Sequence, residues 1–293
     1  MNSIKIMTRK EQEHLRAALR ARGGTDVEDV PPGAIFVLRD GESVVTAYKS
    51  GKVLFQGKNA AEVAGLAEKI LEHAVEKKEP IMRFPIVGGD ESGKGDLFGP
   101  LVIAAFVTHD DVERHRAVEA GARDCKLMSD KDVQIVAERL RGIGTSAVRV
   151  LMPMDYNARY ARVRNVNILL NESYRELLHD VAVSSGAQTV ILDKYGGRAL
   201  ELWQGTQQFQ FVVESHAERY PEVAAASVLA RAAFLDGLDE TAREHGLSHL
   251  PKGASIEVQV LMRQLALQKG KDWLRGVAKV NFAPVREYLD GLF

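Results

Sequence analysis

The chain has 293 residues, 45% of them hydrophobic, which is enough for one large globular domain or two ordinary ones. One cysteine excludes an intramolecular disulfide, and without a secretory signal core or a run of about 20 apolar residues we expect a cytoplasmic protein that does not cross a membrane. The formal net charge of −1 neither supports nor excludes a nucleic-acid partner, because acids that hold metal offset bases that hold a phosphate backbone.

The first part of the chain has the pattern of a small α/β unit. One helix is predicted over residues 8–22 and another over 59–76, because each carries apolar residues at helical spacing. Between them, two turn sequences, Asp-Gly at 40–41 and Ser-Gly at 50–51, favour tight hairpins. The strands that these hairpins join are predicted at 34–39, 43–49 and 52–56.

A charged run that ends in Pro80 is the best domain boundary in the chain, so we predict one domain over 1–78 and a second over 79–293. After this boundary apolar strands alternate with helical segments, which predicts an α/β fold with a mixed sheet flanked by helices. The predicted strands are 82–88, 101–108, 147–152, 189–192 and 208–213, and the predicted helices include 130–141, 167–184, 221–235, 256–268 and 284–292.

The most informative segment is a glycine-rich run over 88–100, directly after a predicted strand. Asp90 and Glu91 would point to opposite faces of a strand, so both can serve one site only if the strand ends or bends there, and the two glycines before them allow a bend. The later glycines let a ligand come close to the backbone, and Lys94 adds a positive charge. The run therefore predicts a metal site beside a phosphate-sized gap.

Two other interpretations of this run are open from its residues alone. The spacing from Gly88 to Lys94 also fits the phosphate-binding loop of nucleotide hydrolases. However, Gly95 stands where that loop needs Ser or Thr, and the two acids would repel a polyphosphate. The remaining interpretation is a glycine-rich turn whose acids are simply solvated.

The run over 88–100 resembles the first catalytic motif of the type 2 ribonucleases H, and its Gly-Lys-Gly variant is similar to that of ribonuclease HIII. Segments that resemble further motifs of this family follow in the family's order, at 124–130, 192–197, 223–231 and 250–255. The resemblance implies a ribonuclease H-like fold and an endoribonuclease that cuts the RNA strand of RNA–DNA hybrids. The products would carry a 3′-hydroxyl and a 5′-phosphate.

Carboxylates are the predicted metal ligands. Two divalent ions about 4 Å apart suit phosphodiester cleavage, and carboxylate oxygens suit Mg²⁺ or Mn²⁺. Asp193 follows a predicted strand just as Asp90 does, so these two can meet where neighbouring strands end, with Glu91 beside them. The resemblance places a fourth acid before the helix predicted at 221–235, where Glu218 matches best and Glu214 is the competitor.

The resemblance also implies which residues bind the hybrid. Main-chain groups of Gly93, Lys94 and Gly95 would contact the 2′-hydroxyls of the RNA strand, because glycine allows so close an approach. The residues expected to contact phosphate are Lys126, Ser227, Arg231 and Lys252. The alternatives are a surface ion pair for Lys126 and a packed helix face for Ser227 and Arg231.

The first domain is implied to resemble part of the TATA-binding protein and to bind substrate through a hairpin over 48–58. The side chains expected to attract phosphate or stack on bases and sugars are Tyr48, Lys49, Lys52, Lys58 and Phe55. A solvated hairpin with aromatic residues in the core is the alternative.

We therefore expect a monomer whose partner is an RNA–DNA hybrid and not a membrane. Ribonuclease HII-like cleavage at single ribonucleotides in duplex DNA is the nearest alternative activity. A protein that binds hybrids without cutting them is a further one, although the three well-matched carboxylates argue against it.

Overall fold

Hydrophobic residues gather in separate cores before and after residue 81, and they divide the chain into two compact units, Met1–Ile81 and Met82–Phe293. The structure, a computed structural model, describes residues 3–74, 82–123, 125, 128–193 and 209–291. The charged run that we predict as the domain boundary lies outside the described residues, so the division into 1–78 and 79–293 stays a prediction.

The first unit is an antiparallel sheet packed against two helices. Its strands are β1 (Ser3–Ile6), β2 (Thr25–Asp26), β3 (Ala34–Asp40), β4 (Ser43–Tyr48) and β5 (Lys52–Gly57), in the order β1-β5-β4-β3-β2. Its helices are α1 (Arg9–Ala21), which Thr8 caps, and α2 (Ala60–Ala74). The helices and the three longer strands agree with the sequence pattern, whereas β1 and β2 were not predicted because each is too short to show a period of its own.

The second unit is built on a five-stranded mixed sheet, as predicted. Its strands are β6 (Ile86–Ser92), β7 (Leu101–Thr108), β8 (Thr145–Leu151), β9 (Thr189–Asp193) and β10 (Gln210–Glu214). The order is β10-β9-β6-β7-β8, with β9 parallel to both β6 and β10 and the remaining pairs antiparallel.

Helices cover both faces of this sheet. They are α3 (Asp111–Ala120), α4 (Asp130–Arg141), α5 (Pro153–Val163), α6 (Val166–Ser185), α7 (Pro221–Glu244), α8 (Ile256–Lys269), α9 (Lys271–Val277) and α10 (Ala283–Leu289). Strand β7 shows the layering, because alternate residues enter the core under α4 and α7 or the core under α5 and α6. Among the described helices, none is both long and apolar enough to cross a membrane.

Strand β6 differs from its prediction in a way that matters for the site. It does not end or bend at Gly88 but stays paired with β7 through Ser92. Gly88 and Gly89 instead allow close packing, since a Cβ on Gly88 would lie 2.2 Å from the carbonyl carbon of Glu222 at the start of α7. Gly88 therefore lets α7 pack directly on the strand that carries the acids, while Gly89 leaves room for the side chains of Leu178 on α6 and Leu192 on β9.

Helix α7 is also longer than predicted, because it continues past residue 235 to Glu244. Gly237 lies inside the helix and does not end it. Glycine is needed there for packing, because a Cβ would lie 2.7 Å from Cγ of Pro100. Leu238, Thr241 and Ala242 extend its buried face. The helix that begins beside the acids therefore keeps a buried face as far as Ala242.

Candidate active site

A cleft of about 580 Å³ in the second unit is lined by the acids that the sequence predicts as metal ligands. Its lining includes all four predicted carboxylates, which are Asp90, Glu91, Asp193 and Glu218. Residues separated by more than 100 positions along the chain are thus brought to one surface. The predicted convergence of the acids is what the fold produces.

Sheet register explains how Asp90 and Asp193 come together. Strands β6 and β9 run parallel, with Gly89 opposite Leu192, so that the next residue on each strand is an acid. Beyond this point the pairing of β6 with β9 ends, whereas its pairing with β7 continues. The acids therefore lie where the pairing of β6 with β9 ends; the two acids were predicted to meet at strand ends, but only β9 ends there, since β6 continues to Ser92.

Glu218 and Glu214 have different surroundings. Glu218 belongs to a short 3₁₀ turn, Ala217–Arg219, which is held to Asp193 because the Ala217 N–H donates to Oδ1 of that acid at 3.1 Å. The carboxylate of Glu214, at the end of β10, instead accepts bonds from Arg219 and from the phenol of Tyr220. This arrangement turns Glu218 towards the cleft and gives Glu214 a structural ion pair.

Without a cation, the cleft disfavours the ionised form of the Asp90 carboxyl group. Burial, reinforced by the charges of Glu91 and Glu218, raises the pKa of Asp90 to about 8. The N–H of Glu91, 2.8 Å from Oδ1, and the hydroxyl of Ser227 act in the opposite direction. A divalent cation would relieve this crowding of negative charge, and oxygen donors of this kind suit Mg²⁺ or Mn²⁺.

The described residues contain no ready-formed metal cage, in the sense of three or more His, Cys, Asp or Glu side chains grouped closely enough to hold an ion. What fits a metal is the chemistry of the donors, namely hard oxygen ligands that share one cleft, in which burial and the charges of Glu91 and Glu218 raise the pKa of Asp90. The assignment of individual ligands is accordingly a proposal.

Glu91 is held by one hydrogen bond and one ion pair. The phenol of Tyr174, on α6, donates to Oε2, and Nζ of Lys94 lies 3.7 Å from Oε1. Sequence reasoning missed Tyr174, because within α6 it looks like one more core residue of the apolar face. Only the packing of α6 under β6 shows that its hydroxyl reaches an acid.

The basic side of the cleft is organised by an acid that the sequence did not indicate. Asp130, the first residue of α4, pairs with both Lys252 and Arg231, and its hydrogen bond with Lys252 is the largest cause of its lowered pKa. An acid in the first turn is ordinary for a helix, so nothing in the sequence marked it. These pairs hold two predicted phosphate-binding cations in the cleft lining.

Ser227 belongs to the cleft lining, but its hydroxyl is engaged within the protein, and its phosphate contact stays a prediction. It is 3% exposed, its hydroxyl bonds to the Asp90 carboxylate, and its Oγ lies 3.0 Å from Sγ of Cys125. Burial within α7 therefore makes it a support for an acid, which is closer to the packed-face alternative. Lys126 lies outside the described residues.

The loop after β6 presents two different glycines. Gly93 is buried with a φ of +89°, and a Cβ there would lie 2.2 Å from the carbonyl oxygen of Pro100, so the protein's own packing requires glycine. Gly95 is exposed, and a Cβ there would have no heavy atom within 4 Å. Gly93 lines the cleft, and Lys94 and Gly95 continue the same loop.

In the first unit, one expectation about the hairpin is wrong. Phe55 is 0% exposed in the core, because its position on β5 faces the helices, so it cannot stack on a base. Lys49, Lys52 and Lys58 are exposed, with Lys58 lying 3.5 Å from Glu42, and Tyr48 is partly buried. The predicted cations are thus accessible on the hairpin.

Comparison with known proteins agrees with this arrangement. A family model described as Ribonuclease HII matches residues 87–285, and one described as Domain of unknown function (DUF3378) matches residues 2–79. Ribonuclease HIII of Chlamydia pneumoniae is 30% identical over 98% of this chain and 98% of its own. Ribonuclease HIII of Exiguobacterium sibiricum is 34% identical over 88% of each chain.

Solved structures give the same result for the fold. The crystal structure of Bst-RNase HIII in complex with Mn²⁺ matches with a TM-score of 0.64 and 25% identity, over 99% of this chain and 98% of that one. Aquifex aeolicus RNase H3 matches with a TM-score of 0.57 and 29% identity, over 95% and 99% of the two chains. The chain belongs to the type 2 ribonuclease H family, within its ribonuclease HIII group.

Proposed function

We propose that this ribonuclease HIII is an endonuclease that hydrolyses the RNA strand of RNA–DNA hybrids with two Mg²⁺ or Mn²⁺ ions held by Asp90, Glu91, Asp193 and Glu218. The observation that carries the proposal is that these four acids share one cleft with Lys252 and Arg231. Acids for metal beside cations for phosphate are what hydrolysis of a charged backbone needs. The products would carry 3′-hydroxyl and 5′-phosphate ends.

Bound divalent ions would supply an activated water and stabilise the leaving oxygen. The protein's own residues would do the rest. Asp193 fixes the turn that carries Glu218, and Tyr174 and Lys94 orient Glu91. Lys252 and Arg231 would neutralise the phosphate next to the cut, with Asp130 keeping both in place.

Recognition of RNA would come from the loop after β6. Gly93 is locked in a positive φ, which fixes the direction of the main chain that follows. Gly95, with no side chain and no protein atom in the way, leaves room for a ribose to approach the backbone. A 2′-hydroxyl is what distinguishes RNA from DNA at such a contact.

The first unit would increase affinity for the hybrid. This role corresponds to a TATA-binding-protein-like domain over 1–78, joined to a catalytic domain over 79–293. The exposed Lys52 and Lys58 on the hairpin support it, and Tyr48 and Lys49 would complete the surface. We further propose that the protein is monomeric and cytoplasmic.

Cleavage of an end-labelled uniform hybrid tests the proposal. We expect RNA cuts that require Mg²⁺ or Mn²⁺, no cuts in EDTA, and loss of cutting with retained hybrid binding in Asp193→Asn. Asp180→Asn is the matched control, because Asp180 is an exposed acid on α6. Binding without any cleavage would leave the non-catalytic alternative, and cleavage confined to single ribonucleotides in duplex DNA would favour the ribonuclease HII-like one.

A further inference from the structure

Lys279 is a fully buried lysine that the proposed chemistry does not use. It is 0% exposed, and its Nζ donates to the main-chain oxygens of Asp96 at 2.8 Å and Phe98 at 3.1 Å. Burial lowers its pKa to about 7, against the opposing effect of the Asp96 carboxylate. A neutral amine has two N–H hydrogens, so it can donate one to each of these two carbonyl oxygens.

Both carbonyls belong to the loop that begins with Gly93. The main chain around Lys279 adds further bonds to it, since the Lys279 N–H donates to the oxygen of Leu97 at 3.0 Å and the Gly99 N–H donates to that of Val277 at 3.0 Å. Phe98 also pairs with Ala278 as an isolated β-bridge. The segment 277–279 therefore holds the far side of the loop along three consecutive residues.

The loop is tied on a second side by the segment Pro251-Lys252-Gly253. The Gly253 N–H donates to Oδ1 of Asp96 at 2.6 Å, and the Leu97 N–H donates to the oxygen of Gly253 at 2.9 Å. Asp96 in turn bonds back to the oxygen of Gly93 at 3.2 Å through its own N–H. Movement at Asp96 would consequently be transmitted to Gly93 and Gly95.

The segment that carries Lys279 is itself anchored by α5. Nδ2 of Asn157 donates to the oxygens of Arg275 at 3.0 Å and Ala278 at 2.9 Å, and its Oδ1 accepts from the Val280 N–H at 2.9 Å. Lys279 thus stands on a fixed base, with Asn157 on one side and the loop on the other. Burying a lysine costs free energy that an apolar side chain would not cost, so its hydrogen bonds to the loop point to a role that an apolar residue could not fill.

We propose that Lys279 is a positioning residue for ribose recognition, which fixes the main chain of the loop so that Gly93–Gly95 can contact a 2′-hydroxyl. The proposal rests on the function proposed above and extends it to a residue that touches neither metal nor substrate. Its effect would be on selectivity for RNA over DNA, because DNA makes no use of a contact to a 2′-hydroxyl.

Binding in EDTA tests this directly, with an RNA–DNA hybrid and a DNA duplex of the same sequence as probes. The preference for the hybrid is the Kd for the DNA duplex divided by the Kd for the hybrid. For Lys279→Met we expect this ratio to fall about tenfold towards one, as for the loss of one or two hydrogen bonds. The matched control is Lys271→Met, because Nζ of Lys271 also donates to a main-chain oxygen, that of Leu289, at 2.6 Å. It should keep the wild-type ratio.

The outcomes separate this proposal from the function on which it rests. A wild-type protein with no preference for the hybrid overturns the proposed function, whereas a normal preference that Lys279→Met retains overturns only the role of Lys279. A merely structural role would lower stability without changing the ratio. If Lys279→Met does not fold, Asn157→Ala loosens the same segment from α5 and must reduce the ratio, and an unchanged ratio there overturns the proposal too.

Discussion

Tyr174 donates a hydrogen bond from its phenol to Oε2 of Glu91, across the packing of α6 against β6. The tyrosine is 1% exposed, so the bond is shielded from water on the tyrosine side, while the glutamate faces the cleft. Hydrogen bonds to charged groups are worth more than neutral ones, about 1.5–3 kcal/mol. A buried phenol thus fixes the carboxylate of a proposed metal ligand.

Tyr174→Phe should reduce activity more than stability. The ring keeps its packing, but Glu91 loses its phenol donor and is left with the ion pair to Lys94, so we expect kcat/KM to fall about tenfold, as for the loss of about 1.4 kcal/mol. The Mg²⁺ concentration for half-maximal rate should rise as well. Initial rates across a Mg²⁺ titration measure both effects.

The control for this substitution is Tyr288→Phe. The phenol of Tyr288 donates to the main-chain oxygen of Ala266 at 2.7 Å, between α10 and α8. The Tyr288→Phe substitution removes a comparable hydroxyl at a position distant in sequence from the four acids. Equal losses of activity in the two variants would mean that Tyr174 acts only through the stability of the fold.

The sequence was sufficient to predict the parts of the fold that depend on local pattern. Asp90 and Asp193 each come directly after the apolar part of a strand, and the two strands are neighbours in the sheet, which brings the acids to one cleft. Tyr174, Asp130 and Lys279 were not predicted, because each acts through a partner from a distant element. Gly88 was assigned to a bend for the same reason, since only the position of α7 shows what the missing side chain makes room for.

Glu218→Gln and Glu214→Gln together test the choice of the fourth acid. Glu218 lines the cleft, so its amide variant should lose at least about 100-fold in kcat, within the range for removal of a catalytic group. Glu214→Gln should keep kcat within about threefold and lose a little stability, because it weakens a partly exposed ion pair with Arg219. Single-turnover cleavage of the hybrid measures the chemical step, and the reverse order of effects would exchange the two assignments.

Gly95→Ala should separate substrate binding from folding. A Cβ at this position meets no protein atom within 4 Å, so the free energy of unfolding should change by less than about 0.5 kcal/mol. Hybrid affinity should nevertheless fall, because the methyl group would occupy the space proposed for a ribose. Isothermal titration calorimetry with the hybrid measures the affinity, and urea unfolding of the same preparation measures the free energy of unfolding.

Gly93→Ala gives the opposite pattern and serves as the comparison. Its φ is +89° and its Cβ would lie 2.2 Å from the oxygen of Pro100, so we expect a loss of about 2 kcal/mol or more in stability. Unchanged hybrid affinity in Gly95→Ala would remove that residue from the proposed ribose contact.

The hairpin of the first unit should act through charge. Replacing Lys49, Lys52 and Lys58 together with alanine should raise KM and leave kcat nearly unchanged, because these residues lie on the first unit and not on the proposed catalytic one. The slope of log Kd against log salt should decrease by about one for each lysine that contacts phosphate. Lys269→Ala, at an exposed position on α8, is the charge-matched single control. An unchanged salt slope in the triple variant would mean that the hairpin does not contact the backbone of the hybrid.

Lys279 should make stability depend on pH in a defined direction. Its pKa is about 7 in the folded chain and near 10.5 when unfolded, so between these values the unfolded state binds one more proton than the folded state. The contribution to stability is therefore least favourable below pH 7 and improves as the pH rises through the folded pKa. Asp90, whose pKa is raised to about 8, acts in the opposite sense over the lower part of this range. The difference between the wild type and Lys279→Met isolates the lysine, because Asp90 is common to both.

Urea unfolding of the two proteins in EDTA at a series of pH values measures this difference. We expect the wild type to gain at least about 1 kcal/mol relative to Lys279→Met between neutral pH and the upper end of the series. The gain should come from the lysine, and the Asp96 carboxylate limits it, because this charge stabilises the ammonium form and opposes the lowering of the lysine pKa. A difference that stays constant with pH would mean that Lys279 keeps its proton in the folded protein, with an ammonium bonded to the carbonyls of Asp96 and Phe98.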